Sequence, residues 1–93
     1  ITDEPGIYLA GRCGVRTENT LLITPYKETE FGKFLQFESL TLCPIDKTPI
    51  ILDMLSPEEI AWLNDYHQRV FDTLLPHLNE EEQTWLKDAC AAI

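Results

Sequence analysis

Residues 4–19, which read EPGIYLAGRCGVRTEN, are the most informative part of this chain. Two short apolar stretches flank a turn centred on Gly11, and this pattern is typical of a β-hairpin. A hairpin symmetric about Gly11 places Glu4 directly opposite Glu18. The same register pairs Gly6 with Arg16 and Tyr8 with Gly14.

The hairpin also predicts which side chains share a face. Because strand side chains alternate between faces, four of them project to one side, namely Glu4, Tyr8, Arg16 and Glu18. Like charges directly across a strand pair are destabilising, so the two carboxylates indicate one half of a metal site. An alternative without metal leaves Glu4 on the surface and pairs Glu18 with Arg16 or Lys33.

Composition and charge exclude several classes of protein. The chain has 93 residues, of which 44% are hydrophobic, and this is enough for one small domain with a core. Sixteen acidic against seven basic side chains give a net charge of −9. That balance argues against nucleic acid and against an anionic membrane surface as partners, since both bind clustered Lys and Arg.

The three cysteines, Cys13, Cys43 and Cys90, are widely spaced and form no C-x-x-C pair. They indicate reduced thiols in a cytoplasmic protein rather than a disulfide framework or a zinc site. The sequence contains no signal peptide pattern and no apolar run of membrane-spanning length. It opens on Ile1 inside an apparent strand, and we expect it to be a piece of a longer polypeptide.

The first half of the chain is predicted to form strands. Residues 1–26 indicate two strands around the turn, the second covering residues 19–23 and stopping before Pro25. Alternating apolar and polar residues predict two further strands, at 31–38 and 39–43.

The second half is predicted to form two helices. Residues 56–59, Ser-Pro-Glu-Glu, are a capping box, and Pro76 should end the first helix near Leu75. A second helix is expected to start at Asn79. The apolar face of the first helix comprises Ile60, Leu63, His67, Val70, Phe71, Leu74 and Leu78. The apolar stripe of the second comprises Trp85, Leu86, Ala89 and Ile93.

The histidines and tryptophans are further candidates for ligand binding. His67 lies on the apolar helix face, where a core or interface histidine is more common than a metal ligand. His77 follows a helix break and is most simply a surface residue or a helix cap. Trp62 and Trp85 are predicted to be packing residues.

The motifs carry a family resemblance. Glu-Pro-Gly-x-Tyr at residue 4, followed by Gly-x-Arg-x-Glu-Asn at residue 14, resembles the C-terminal signature of metallo-aminopeptidases and prolidases with the pita-bread fold. Residues 37–46 and 62–67 look like the C-terminal extension of cytosolic Xaa-Pro aminopeptidases. The resemblance runs from Thr2 to about Trp85.

The resemblance implies an α+β fold in two parts. Residues 1–33 would be the last antiparallel strands of a pita-bread catalytic domain. Residues 34–93 would be a C-terminal subdomain of short strands and two helices. The activity implied is removal of the N-terminal residue of a peptide whose second residue is proline.

The resemblance also implies roles for the four clustered residues. Glu4 would bind one of two divalent ions, usually Mn²⁺, and Glu18 would bridge both. Such a pair of ions activates water for attack on the scissile carbonyl. Tyr8 and Arg16 would orient the ligands and relay protons.

In the family, two aspartates and a histidine upstream of Glu4 complete the metal site, and no residue of this chain matches them. We therefore expect the segment alone to be inactive and to hold no metal. The resemblance also implies a homodimer or another homo-oligomer. An alternative function is a non-catalytic dimerisation or interaction module formed by residues 34–93. A third is a natural non-catalytic relative of the enzyme.

Overall fold

The structure, a computed structural model, describes all 93 residues of the chain as two compact units. The first unit is Ile1–Thr41, made of strands, and the second is Leu42–Ile93, made mainly of helices. The predicted α+β class with antiparallel strands and two helices is confirmed. The predicted division at residue 33 falls inside a strand, whereas the compact units divide after Thr41.

The first unit contains five strands. They are β1 (Thr2–Asp3), β2 (Gly6–Leu9), β3 (Cys13–Arg16), β4 (Asn19–Thr29) and β5 (Gly32–Ser39). The pair β2 and β3 forms an antiparallel hairpin, and β1, β4 and β5 form an antiparallel sheet in the order β1-β4-β5.

The predicted register about Gly11 is confirmed. Arg12 N donates to Leu9 O at 2.9 Å and closes the turn, and Gly11 has a φ of 68°, in the left-handed region that favours glycine. The symmetric pairs are Gly6 with Arg16 and Tyr8 with Gly14 in the hairpin, and Thr2 with Thr20 and Asp3 with Asn19 between β1 and β4.

Strand β4 is longer than predicted, because it continues through Pro25 to Thr29. Proline lacks an N–H and is tolerated in a strand at an edge or a bulge. The second condition holds at Pro25, because the ladder to β5 has a bulge between Pro25 and Lys27.

The strand predicted at residues 39–43 does not form, since β5 ends at Ser39. This segment makes its last contacts with the sheet through hydrogen bonds to the backbone of Thr20. Leu40 N donates to Thr20 O at 2.8 Å, and Thr20 N donates to the hydroxyl of Thr41, also at 2.8 Å. A side chain thus replaces the next ladder bond.

Helix side chains satisfy the backbone of the following segment. The hydroxyl of Tyr66 accepts from Cys43 N at 3.4 Å and donates to Cys43 O at 3.0 Å. Ile45 N donates to Nε2 of His67 at 3.0 Å. Buried backbone groups need hydrogen-bond partners. Here two consecutive helix residues, Tyr66 and His67, supply them in place of a neighbouring strand.

The two predicted helices are confirmed as α1 (Pro57–Leu74) and α2 (Glu80–Ala89). Each begins with a complete capping box, formed by Ser56 with Glu59 and by Asn79 with Glu82. A short 3₁₀ turn that contains Pro76 separates them. No helix in the structure has the length and hydropathy needed to cross a lipid bilayer.

The core of the second unit centres on Tyr66, Val70 and Leu86. Partly buried residues pack around them: Leu42, Ile45, Phe71, Leu74, Leu78 and Cys90. The predicted face of α1 is confirmed but omitted Tyr66, whose phenol can be buried because its hydroxyl is hydrogen-bonded.

The prediction that both tryptophans are packing residues is confirmed for Trp62 and wrong for Trp85. Trp85 is 63% exposed, and Trp62 is 57% exposed. The ring of Trp62 stacks on the ring of Tyr66 with centroids 5.6 Å apart, so it covers the core from outside. Helical spacing identifies a stripe but not its edges, and both tryptophans lie at the edge.

His67 is a core histidine, as predicted. It is fully buried, its Nε2 accepts the bond from Ile45, and its Nδ1 has no partner. Burial lowers the pKa of His67, and the nearby charge of Lys47 lowers it further. The ring must be neutral to accept at Nε2, so the structure contains the uncharged form.

We predict that His67 makes stability depend on pH. An unfolded histidine has a pKa of about 6.5, so below that pH the unfolded chain binds more protons than the folded chain. The free energy of unfolding should therefore be highest above about pH 6.5. It should fall as the pH drops toward the lowered pKa of folded His67, by at most about 1.4 kcal/mol per pH unit.

Urea unfolding at pH 7.5 and pH 5.5, above the carboxylate range, measures this loss. In His67→Gln, whose amide oxygen can still accept from Ile45, the loss should be much smaller. His77→Gln removes an exposed histidine and is the control, which should behave as the parent does. An undiminished pH dependence in His67→Gln would contradict the assignment.

Candidate metal centre

The hairpin brings the predicted site residues together on one face. Arg16 Nε lies 3.4 Å from Glu18 Oε2 and 3.9 Å from Glu4 Oε2, so one guanidinium contacts both carboxylates. All three side chains are about half exposed. The pairing of Glu18 with Arg16 that the alternative without metal required is therefore present, and Arg16 offsets the repulsion between the two glutamates.

Tyr8 completes the cluster through the guanidinium. Its hydrogen bond to Arg16 is the main cause of a raised pKa of Arg16, followed by electrostatic interactions with Tyr8, Glu18 and Glu4. An arginine has donors only, so the phenolic oxygen of Tyr8 accepts this bond. Arg16 is thus held in its charged form by three oxygen-bearing neighbours.

The position of Tyr8 depends on two glycines. A Cβ added at Gly6 would lie 2.6 Å from the Tyr8 hydroxyl oxygen, and one added at Gly14 would lie 2.7 Å from Tyr8 Cδ1. Tyr8 therefore lies flat across the hairpin, over backbone that carries no side chain. Gly6 and Gly14 belong to the predicted motif, but their role beneath the Tyr8 ring was not predicted. The register could have indicated this role, because Gly14 is the cross-strand partner of Tyr8 and Gly6 precedes Tyr8 by two residues on the same face.

A second residue missed by sequence reasoning is Thr2. Its hydroxyl donates to Glu4 Oε1 at 2.7 Å. This contact could have been predicted from the position of Thr2, because a residue two before Glu4 in extended backbone lies on the same face.

The donor set fits part of a metal site. Carboxylate oxygens are the ligands that hard divalent cations prefer, and two of them share one face here. Nowhere in the chain do three or more His, Cys, Asp or Glu side chains converge as metal ligands would. Glu4 and Glu18 could thus supply two ligands, and His67 and His77 belong to no such group.

We predict that Gly14→Ala displaces Tyr8 without unfolding the hairpin. A methyl group at this position meets Cδ1, near the root of the side chain, so the ring must rotate away from the backbone. Tyr8 is 63% exposed and has room to move. The hydrogen bond to Arg16 should then be lost.

Nuclear Overhauser contacts between the Tyr8 ring and the glycine α-protons measure the displacement. They should be strong in the parent chain and absent in Gly14→Ala, while cross-strand contacts between Ile7 and Val15 persist. Gly32→Ala changes a glycine with a φ of 128° and no neighbour of its Cβ, and this control should leave the Tyr8 contacts intact. Retained Tyr8 contacts in Gly14→Ala would contradict the proposed cradle.

The family model, the similar sequences and the similar structure all indicate the same family. Residues 33–93 match the family described as the C-terminal region of peptidase M24. The chain is 46% identical over 93 residues to aminopeptidase P1 of Arabidopsis thaliana, covering 96% of this chain and 14% of that protein. It is 37% identical over 94 residues to Xaa-Pro aminopeptidase 1 of Dictyostelium discoideum, covering 95% of this chain and 15% of that protein.

A solved structure extends the match to three dimensions. The X-prolyl aminopeptidase of Caenorhabditis elegans, described as a cytosolic enzyme with a di-nuclear active site, superposes with a TM-score of 0.88 at 38% identity. The match covers 99% of this chain and 16% of that one, so the chain spans about a seventh of the proteins it resembles. The chain belongs to the family of the C-terminal region of peptidase M24, and it matches the C-terminal segment of aminopeptidase P.

Proposed function

We propose that this chain is the C-terminal part of a dinuclear-metal Xaa-Pro aminopeptidase. Residues 1–33 would be the last strands of its pita-bread catalytic domain, and residues 34–93 its C-terminal subdomain. The observation that carries the proposal is the cluster of Glu4, Arg16 and Glu18 on a hairpin. It occurs in a chain whose backbone superposes on an enzyme with a di-nuclear active site.

In this proposal the glutamates hold the metals. Glu4 and Glu18 would both serve as ligands, and carboxylate chemistry favours Mn²⁺ or a similar hard cation. When bound, the two ions supply Lewis-acid activation of water for attack on the scissile peptide carbonyl. The remaining ligands, two aspartates and a histidine, would come from outside these residues.

In this proposal Arg16 orients the metal ligands and Tyr8 relays protons. The guanidinium contacts both carboxylates and limits their repulsion, so they can share one face before any cation binds. The phenolic oxygen of Tyr8 accepts a hydrogen bond from Arg16, so its O–H would be free to donate a proton near the substrate and then recover it.

The relatives support a proposal for the substrate and the cellular location. The substrate would be a peptide whose second residue is proline, from which the first residue is released. The C. elegans enzyme is described as cytosolic, and the free thiols of Cys13, Cys43 and Cys90 suit the same compartment.

A chimera tests the metal roles directly. The matching segment of the C. elegans enzyme is replaced by these 93 residues, and the product is loaded with Mn²⁺ and assayed on an Xaa-Pro peptide. The chimera should release the N-terminal amino acid. Glu4→Gln and Glu18→Gln should each lower turnover by more than about 100-fold and reduce bound metal, because each removes a ligand.

Glu30→Gln is the matched control for the chimera. It removes one carboxylate from the turn between β4 and β5, outside the cluster, and should leave activity and metal content unchanged. If Glu4→Gln and Glu18→Gln retain two metal ions and full turnover, the proposed site is wrong.

The 93-residue chain by itself should show no aminopeptidase activity. Two carboxylates cannot complete a dinuclear centre, which needs several more ligands. Amino acid release from an Xaa-Pro peptide with Mn²⁺ measures this. The Glu4→Gln, Glu18→Gln double variant, purified identically, reports contaminating peptidases, and activity above that background would refute the prediction.

A second candidate function is an interaction module formed by the helical part. Its support is a set of large apolar side chains that the second unit leaves exposed: Ile51, Met54, Trp62 and Trp85. Large apolar side chains left exposed in this way can contribute to interaction surfaces. In the intact enzyme this surface would join two copies.

Sedimentation equilibrium tests the second candidate. The chain should form dimers at micromolar concentrations, and Trp62→Gln with Trp85→Gln should shift it toward monomer. Phe31→Gln removes an aromatic that is 85% exposed in the strand unit and should leave the association unchanged. A parent chain that stays monomeric at about 100 μM would contradict the module (Kd of 1 μM corresponds to about −8 kcal/mol).

A further inference from the structure

Thr2 contacts the candidate metal ligand Glu4 more closely than Arg16 does. The Thr2 hydroxyl donates to Glu4 Oε1 at 2.7 Å, whereas Arg16 Nε is 3.9 Å from Glu4 Oε2. A hydroxyl that donates to an ionised carboxylate at such a distance makes a charge-assisted bond, which is among the stronger hydrogen bonds in proteins. The two oxygens of Glu4 thus have different partners.

The backbone around Thr2 is fixed by the sheet. Thr2 pairs with Thr20 across the β1–β4 ladder, and Leu21 N donates to Ile1 O at 2.8 Å next to it. Threonine is also stiff at χ1, because two heavy atoms branch from its Cβ. The hydroxyl is therefore presented from a rigid position.

Glu4, in contrast, has a long side chain with three rotatable bonds. It lies in the break between β1 and β2, outside both ladders. A free glutamate there would sample several rotamers, and ordering it on metal binding would cost entropy. The bond from Thr2 holds Oε1 and leaves Oε2 directed toward the side where Arg16 lies.

We propose that Thr2 is a positioning residue for Glu4. Its hydroxyl fixes one carboxylate oxygen so that the other is presented to a divalent cation, and this raises metal affinity. The inference rests on the proposed function, since it assumes that Glu4 is a metal ligand. Groups that orient ligands in this way typically contribute about 10- to 100-fold to metal affinity.

The first experiment is on the 93-residue chain without metal. Three-bond couplings across χ1 of Glu4 report whether the side chain holds one rotamer. The parent and Thr2→Ser should show one dominant rotamer, and Thr2→Val should show averaging. Valine matches threonine in shape and strand propensity, so the ladder should persist. Averaged couplings in the parent would overturn the inference.

The second experiment uses the chimera with the C. elegans enzyme and measures Mn²⁺ binding to the apoprotein by titration. Thr2→Val should raise the dissociation constant of one Mn²⁺ about 10-fold or more, with kcat at saturating Mn²⁺ changed much less. Thr2→Ser should restore the parent value. Thr20→Val alters the cross-strand partner of Thr2 and should have no effect.

The outcomes separate this inference from the proposed function. If Glu4→Gln abolishes binding of one Mn²⁺ while Thr2→Val leaves affinity unchanged, the role of Thr2 is wrong and the metal site stands. If Thr2→Ser behaves as Thr2→Val does, the hydroxyl is not the cause, and the inference also fails. If neither Glu4→Gln nor Thr2→Val changes Mn²⁺ binding, the proposed function itself fails.

Discussion

The contact of Arg16 with two glutamates is the constraint on which the candidate site depends. Glu4 and Glu18 share one face, where their like charges oppose each other. Arg16 contacts both, and Tyr8 holds Arg16 in turn. This balance exists only in one register, because a slip by one residue would send every side chain to the opposite face. The turn at Gly11 and the bare backbone at Gly6 and Gly14 are therefore parts of the site.

Local chemistry explains why much of the fold could be predicted from the sequence. The register about Gly11 and the capping boxes at Ser56 and Asn79 involve residues close along the chain, so their signals are short and specific. The end of α1 before Pro76 is a local effect of the same kind. The juxtaposition of Glu4 with Glu18 followed from the register alone, before any role was assigned.

The sequence predictions that were wrong depend on contacts between residues that are far apart in the chain. Residues 39–43 alternate as a strand does, yet the backbone of Cys43 is hydrogen-bonded by Tyr66, more than twenty residues away on a helix. Pro25 is expected to end a strand, but β4 continues through it, because the ladder to β5 has a bulge between Pro25 and Lys27. Trp85 has the helical spacing of the apolar stripe of α2, but it lies at the edge of that stripe and no other part of the second unit covers it. In each case the local sequence gives only a preference, and the presence or absence of a contact with another element determines the outcome.

The candidate site also lies in a unit that has no core of its own. None of the residues in Ile1–Thr41 is buried, and large apolar side chains such as Ile23 and Phe37 remain about half or more exposed. Ladder hydrogen bonds and side-chain contacts alone fix the hairpin there, whereas a precise metal site requires ligands locked by packing. In the proposed enzyme the catalytic domain would cover these apolar side chains. Assembly of that domain would then both supply the remaining ligands and fix Glu4 and Glu18 in place.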